Sequence, residues 1–103
     1  MLYFAYGSNL NMYQMAQRCP DAKVVGSAYF PKWRLIFRNV ASIVYTGNPD
    51  DMLPVGIWEI TEACERSLDR YEGFPNMYRK EIINGMMTYV MNSDMISPPS
   101  HYY

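Results

Sequence analysis

The stretch YFAYGSNL, residues 3–10, decides the local order of the chain. Residues 1–6 form an unbroken apolar and aromatic run that Gly7 interrupts, the pattern of a strand buried on both faces. Beyond the turn, Met12, Met15, Ala16 and Cys19 recur at helical spacing, with Asn9 or Asn11 as cap and Pro20 as stop. The local order is therefore strand, tight polar turn, helix. A glycine in the turn can take a backbone conformation closed to other residues, so that the next N–H groups converge just ahead of the helix. Convergent donors at the positive end of a helix dipole favour a carboxylate or phosphate. Taken alone, the turn also fits a plain strand-to-helix connection. It lacks the lysine of a phosphate-binding loop and the further glycines of a dinucleotide loop, so neither nucleotide motif is supported.

Downstream, KVVGSAYF (23–30) and WRLIFR (33–38) are strand-like on either side of Pro31 and predict one long strand with a bend or bulge. A short run at 41–46, the turn GNPDD at 47–51 and a strand at 54–60 come next. Thr61 can cap a second helix with Glu62 and Glu65 in its first turn, and Gly73 is suited to end it. Two more strands are expected at 78–83 and 87–91, joined by a turn at Asn84-Gly85. The order βαβββαββ, with most strands in succession and only two helices, points to a mixed α+β sheet or small barrel. With 103 residues and no internal repeat or linker, residues 1–103 make a single domain.

A net charge of −1 and a pI near 5.7 offer no general attraction to nucleic acid or to an acidic membrane surface. Half the residues are apolar and only 18% are charged, which describes a chain that folds around a core. The start lacks the basic residues of a signal peptide, and no apolar stretch is long enough to span a bilayer, so the expected location is cytoplasmic. Cys19 and Cys64 lie far apart in sequence, with His101 as the only imidazole, which is poor material for zinc or a disulfide. They read as small core residues.

The second informative junction is LDRYEGFPNMY, residues 68–78. On a helical wheel Cys64, Leu68 and Tyr71 line the inward stripe, while Glu62, Arg66, Asp69 and Arg70 point away. Glu72 falls at the border, in the last turn, near the negative end of the dipole and beside apolar neighbours. Both factors disfavour the carboxylate form, so a raised pKa is expected, as an acid/base group working near neutrality requires. The plainer reading is a solvated helix-end glutamate. No Ser-His-Asp set can be built around His101, and neither cysteine has a partner base in the sequence. An enzyme made from these parts would work by proton transfer and positioning, with no metal or nucleotide cofactor.

With both junctions in view, the chain resembles the gamma-glutamylcyclotransferase family. The resemblance is carried, in order, by YFAYGSNL, WRLIFR, VGIWEIT leading into a helix, LDRYEGFPNMY, MTYVM and the tail PPSHYY, and it covers nearly the whole chain. It implies an α+β fold, a small mixed β-barrel flanked by helices with the substrate in a cavity inside. It implies that the turn of Tyr6, Gly7, Ser8, Asn9 and Leu10 binds the α-amino and α-carboxylate groups of a γ-glutamyl moiety. The family's catalytic glutamate falls on Glu72, and its pocket tyrosines fall on Tyr89 and Tyr103. The implied reaction converts a γ-glutamyl amine or amino acid to 5-oxoproline and a free amine, without cofactor. Glutathione fits less well, because the members that act on it have a different glycine-rich opening. The departure is at the end: members continue past the equivalent of Tyr103 into a helix. Its apparent loss would expose apolar barrel surface and favour a homodimer. The alternatives are a non-catalytic module that binds a small anion or γ-glutamyl metabolite, and an interaction fragment whose tyrosine-rich end docks a partner.

Overall fold

The computed structural model describes residues 1–7, 12–37 and 41–92. Strand β1 (Leu2–Ala5) lies at the centre of a five-stranded sheet, between β5 (Met52–Glu59), antiparallel to it, and β7 (Met86–Met91), parallel to it. The sheet continues outward through β2 (Lys23–Pro31), which pairs β5, and β6 (Tyr78–Ile83), which pairs β7. A separate hairpin is formed by β3 (Trp33–Phe37) and β4 (Ala41–Tyr45). Two helices, α1 (Met12–Arg18) and α2 (Glu62–Glu72), complete the described structure.

The sheet carries a core on each face because β1 alternates. Tyr3 and Ala5 pack with Met15 and Cys19 at α1 and Cys64 and Leu68 of α2. Phe4 packs on the other face with Phe30, Leu53 and Val55 and with Ile43 of the hairpin. Two edge-to-face ring pairs mark these layers, Tyr3–Tyr89 at 6.1 Å and Phe4–Phe30 at 5.0 Å. The expected doubly buried opening strand is thus the central one. Cys19 and Cys64 are both buried free thiols, in keeping with their reading as core residues. Met12 and Ala16 are exposed, so Met15 and Cys19 alone carry the inward face of the first helix region.

One expectation is corrected. Residues 23–38 do not form one bent strand: β2 and β3 belong to different sheets. Lys32 between them takes a left-handed conformation (φ 74), with its N–H donating to Asp51 O and its carbonyl accepting from Thr46 N. These contacts come from residues distant in sequence, which redirect the chain where local propensity would have continued it. The expected bulge falls inside β2 instead, between Val24 and Gly26. The sheet is also open: among the described residues β2 and β6 are its edges, so the barrel is a loose one. Among the described residues no helix is long and apolar enough to cross a membrane.

Helix α2 has both ends specified by chemistry that the sequence displays. The Thr61 hydroxyl accepts from Cys64 N–H at 3.2 Å. Gly73 follows the last turn at φ 70, its N–H reaching Arg70 O while Phe74 N–H reaches Asp69 O. A Cβ at Gly73 would lie 3.3 Å from Met77 and would have to hold the left-handed conformation. Gly73→Ala is therefore expected to lower stability by about 1–2 kcal/mol. Urea unfolding is the measurement, and an unchanged midpoint would contradict this account of the helix end.

Candidate active site

β1 ends at Ala5, and Tyr6 and Gly7 carry the chain out of the sheet. The Tyr6 side chain packs against the hairpin-side core. Its hydroxyl donates to the backbone carbonyl of Tyr89 in β7. Two residues on, the Met91 N–H donates to Ser42 Oγ of β4 at 3.0 Å. Side chains of Tyr6 and Ser42 thus satisfy β7 backbone groups at this end of the sheet. Gly7, at φ 65, is placed so that a Cβ would lie 3.4 Å from that of Ala41. The Tyr78 hydroxyl donates to Ala41 O at 2.5 Å. The end of β1, the start of β4 and the start of β6 therefore meet.

Glu72, half-buried on the last turn of α2, faces the same place. Burial raises the Tyr6 phenol above its ordinary range, with the nearby Tyr78 and Glu72 adding to the effect and the Ser42 hydroxyl opposing it. Tyr78 is pushed up to about 12 by burial, then by the charge of Glu72 and by Tyr71. The carboxylate of Glu72 thus shares one electrostatic neighbourhood with Tyr6 and Tyr78. Glu72 thus lies near Tyr6 at the end of β1, whereas residues 8–10 of the opening turn lie outside the described residues.

Tyr89 is buried and turned toward α2, where its hydroxyl donates to Asp69 Oδ1 at 2.6 Å. Asp69 also receives Lys80 Nζ at 3.1 Å, and Lys80 donates to Glu65 Oε2 at 2.7 Å. Asp69 therefore faces the sheet, contrary to the wheel, and Tyr71 is half-exposed under the Arg18 guanidinium, 3.4 Å from the ring centroid. The wheel fails at Asp69 because it weighs only polarity and angle. Here β6 and β7 present a cation and a hydroxyl to the border of the helix.

Residues 3–102 match the family described as gamma-glutamyl cyclotransferase, AIG2-like. The chain belongs to that family. A solved structure described as a gamma-glutamyl cyclotransferase is similar with a TM-score of 0.73 and 26% identity, over 89% of this chain and 66% of that one. A human protein described as uncharacterized gives 0.71 and 25%, with the same coverages of 89% and 66%. The Escherichia coli protein ytfP is alike in fold, with a TM-score of 0.67 at 18% identity over 97% and 87% of the two chains. The chain spans just under two thirds of the first two of these proteins. Comparison with curated proteins gave no match.

Of the residues that the gamma-glutamylcyclotransferase resemblance singles out, Tyr6, Gly7 and Glu72 come together. Tyr89 joins them through its backbone carbonyl, while its hydroxyl is engaged by Asp69. Ser8, Asn9, Leu10 and Tyr103 lie outside the described residues. The sequence reading missed Ser42, Tyr78, Asp69 and Lys80. Strand alternation was the available signal for two of them, since Tyr78 and Lys80 stand two apart in YRKEII and share a face.

The buried protons of this family member have a consequence for its stability. Burial pushes the Cys19 thiol from about 9 up to about 12 and Tyr78 from about 10 to about 12, and it raises Tyr6 and Tyr89 as well. Between those limits the folded chain holds protons that the unfolded chain has lost. Their contribution is then complete below pH 9 and is lost as pH rises toward 12. The thermal midpoint is expected to decline steadily with pH across this alkaline range. Calorimetry measures it, and a midpoint that stayed level throughout would contradict the burial described.

Proposed function

We propose that this protein cyclises a γ-glutamyl amine or γ-glutamyl amino acid to 5-oxoproline and releases the amine. The observation that carries the reading is the half-buried carboxylate of Glu72 beside the end of β1, with Tyr6 and Tyr78 as its neighbours, in a chain of the gamma-glutamylcyclotransferase family.

The substrate is its own nucleophile. Its α-ammonium must first lose a proton, and Glu72 as carboxylate takes it. The free α-amine attacks the γ-carbonyl carbon, forming the C–N bond of a five-membered lactam. The bond from that carbon to the departing nitrogen breaks as Glu72 returns its proton to this nitrogen; Glu72 then relays the second hydrogen of the attacking nitrogen to the released amine, so that the lactam keeps one N–H and the amine leaves as an ammonium ion. One group serves both steps, and atoms balance without any further reactant. Folding the substrate into the reactive conformer supplies much of the rate, since well-oriented intramolecular reactions reach effective molarities of ~10⁵ M or more. In this reading the turn 7–10 receives the α-amino and α-carboxylate groups, with the left-handed Gly7 allowing its backbone to approach them. The Tyr6 hydroxyl, engaged by the Tyr89 carbonyl, shapes the site and does not move protons.

Incubation with a panel of γ-glutamyl compounds and mass-spectrometric detection of 5-oxoproline tests the proposal. Glu72→Gln keeps the shape of the side chain but cannot accept a proton, so turnover is expected to fall at least ~100-fold while the thermal midpoint is kept. Equal rates for the two proteins would remove Glu72 from the mechanism. Absence of product with every compound, together with binding that survives Glu72→Gln, would replace the enzyme by a binding module.

A further inference from the structure

The helix that carries Glu72 is held to the sheet in two different ways. Its apolar contacts, through the buried Leu68 and Cys64, are non-directional. The second attachment is directional. Asp69 accepts from the Tyr89 hydroxyl of β7 at 2.6 Å and from Lys80 Nζ of β6 at 3.1 Å, and Lys80 is tied in turn to Glu65 at 2.7 Å. Asp69 and Glu72 are three residues apart, which places them about 60° from each other around the axis and ~4.5 Å along it. The backbone carbonyl of Asp69 also accepts the Phe74 N–H that closes the helix just after Glu72.

We infer that Asp69, Lys80 and Tyr89 form a positioning clamp that sets the orientation of Glu72 toward the end of β1. Magnitudes favour this over a purely stabilising role. Lys80, Glu65 and Asp69 each keep about a quarter of their side-chain surface exposed, and ion pairs with that access to water contribute about 0–1 kcal/mol. Their geometry is more specific than that yield requires: one carboxylate is addressed by two donors from two adjacent strands. The Lys80 ammonium lies, in addition, 4.4 Å from the Phe74 ring centroid, so it contacts both sides of the helix end. Burial, reinforced by Asp69, raises the Tyr89 phenol well above its ordinary range, so its hydroxyl stays protonated as the donor of the clamp. Tyr89 then acts on the reaction through Asp69 and the helix, whereas the family resemblance makes it a wall of the substrate pocket.

The kinetic consequence rests on the proposed role of Glu72; the clamp itself does not, and two measurements on the full chain separate them. Tyr89→Phe keeps the ring that packs edge-on to Tyr3 and removes only the donor. Amide hydrogen exchange in this variant is expected to accelerate about tenfold at Gly73 and Phe74, with a much smaller change at Glu65, whose N–H bonds Thr61 O in the first turn. Uniform change along α2, or none, would overturn the clamp. Asp69→Asn, read in the same way, serves if the first variant does not fold. In turnover, Tyr89→Phe is expected to lower kcat about tenfold with KM held within about twofold, and to cost nothing further in the Glu72→Gln background. A raised KM with kcat kept would make Tyr89 a substrate contact and refute the inference. If the unmodified protein forms no 5-oxoproline from any γ-glutamyl compound, the proposed function fails, while the exchange measurement still decides the clamp.

Discussion

Strand β1 is hydrogen-bonded along both edges and buried on both faces, and the rest of the structure is arranged around where it stops. Along β1 and the residue after it the side chains alternate between two cores, Tyr3 and Ala5 toward the helices and Phe4 and Tyr6 toward the hairpin. A slip of one residue would exchange the two sets, so the register is strongly specified. The buried Thr88 hydroxyl, bonded to Phe4 O at 2.9 Å, secures the parallel side of that register. Because β1 is short, the far end of β7 takes partners from side chains, Tyr6 on the Tyr89 carbonyl and Ser42 on the Met91 N–H. Gly7 then turns away from the sheet beside Ala41. A sheet that stops pairing by backbone and continues by side chain leaves polar groups and a tight turn together, which is the material of a binding site.

The second requirement is a carboxylate at the same place, and α2 supplies it by ending there. Gly73 stops the helix immediately after Glu72, and the last turn is closed by backbone bonds from Gly73 and Phe74. Half-burial leaves the carboxyl group near two tyrosines whose titration it influences. The polar contacts from β6 and β7 to Asp69 lie one turn back and fix the direction in which that end of the helix faces. Membership of the gamma-glutamylcyclotransferase family and this arrangement are mutually consistent.

Much of this was legible in the chain because it depends on near neighbours. The run up to Tyr6 and its interruption by Gly7 announced the buried first strand. Thr61 and Gly73 announced the ends of α2, since capping is a matter of residues three or four apart. The break between β2 and β3 was not legible, because the left-handed Lys32 is held by Asp51 and Thr46, which meet it only in the folded chain. Asp69 and Tyr71 were read on the wrong sides of α2 for a related reason. A wheel knows polarity and angle, but not that Lys80 and Tyr89 would stand opposite an acidic residue and Arg18 over an exposed aromatic ring.

By itself the sequence determined the class of fold, the buried first strand, the caps of the second helix, and the two junctions on which the family resemblance rests. Each follows from apolar periodicity or short-range hydrogen bonding, which act within a few residues. The tertiary structure alone decided that the hairpin leaves the main sheet, that the sheet stays open, that Ser42 and Tyr78 lie beside the end of β1, and that the Tyr89 hydroxyl is engaged by Asp69. Those outcomes depend on which distant groups must share the burial of their polar atoms. Only the complete packing of the two cores settles such pairings.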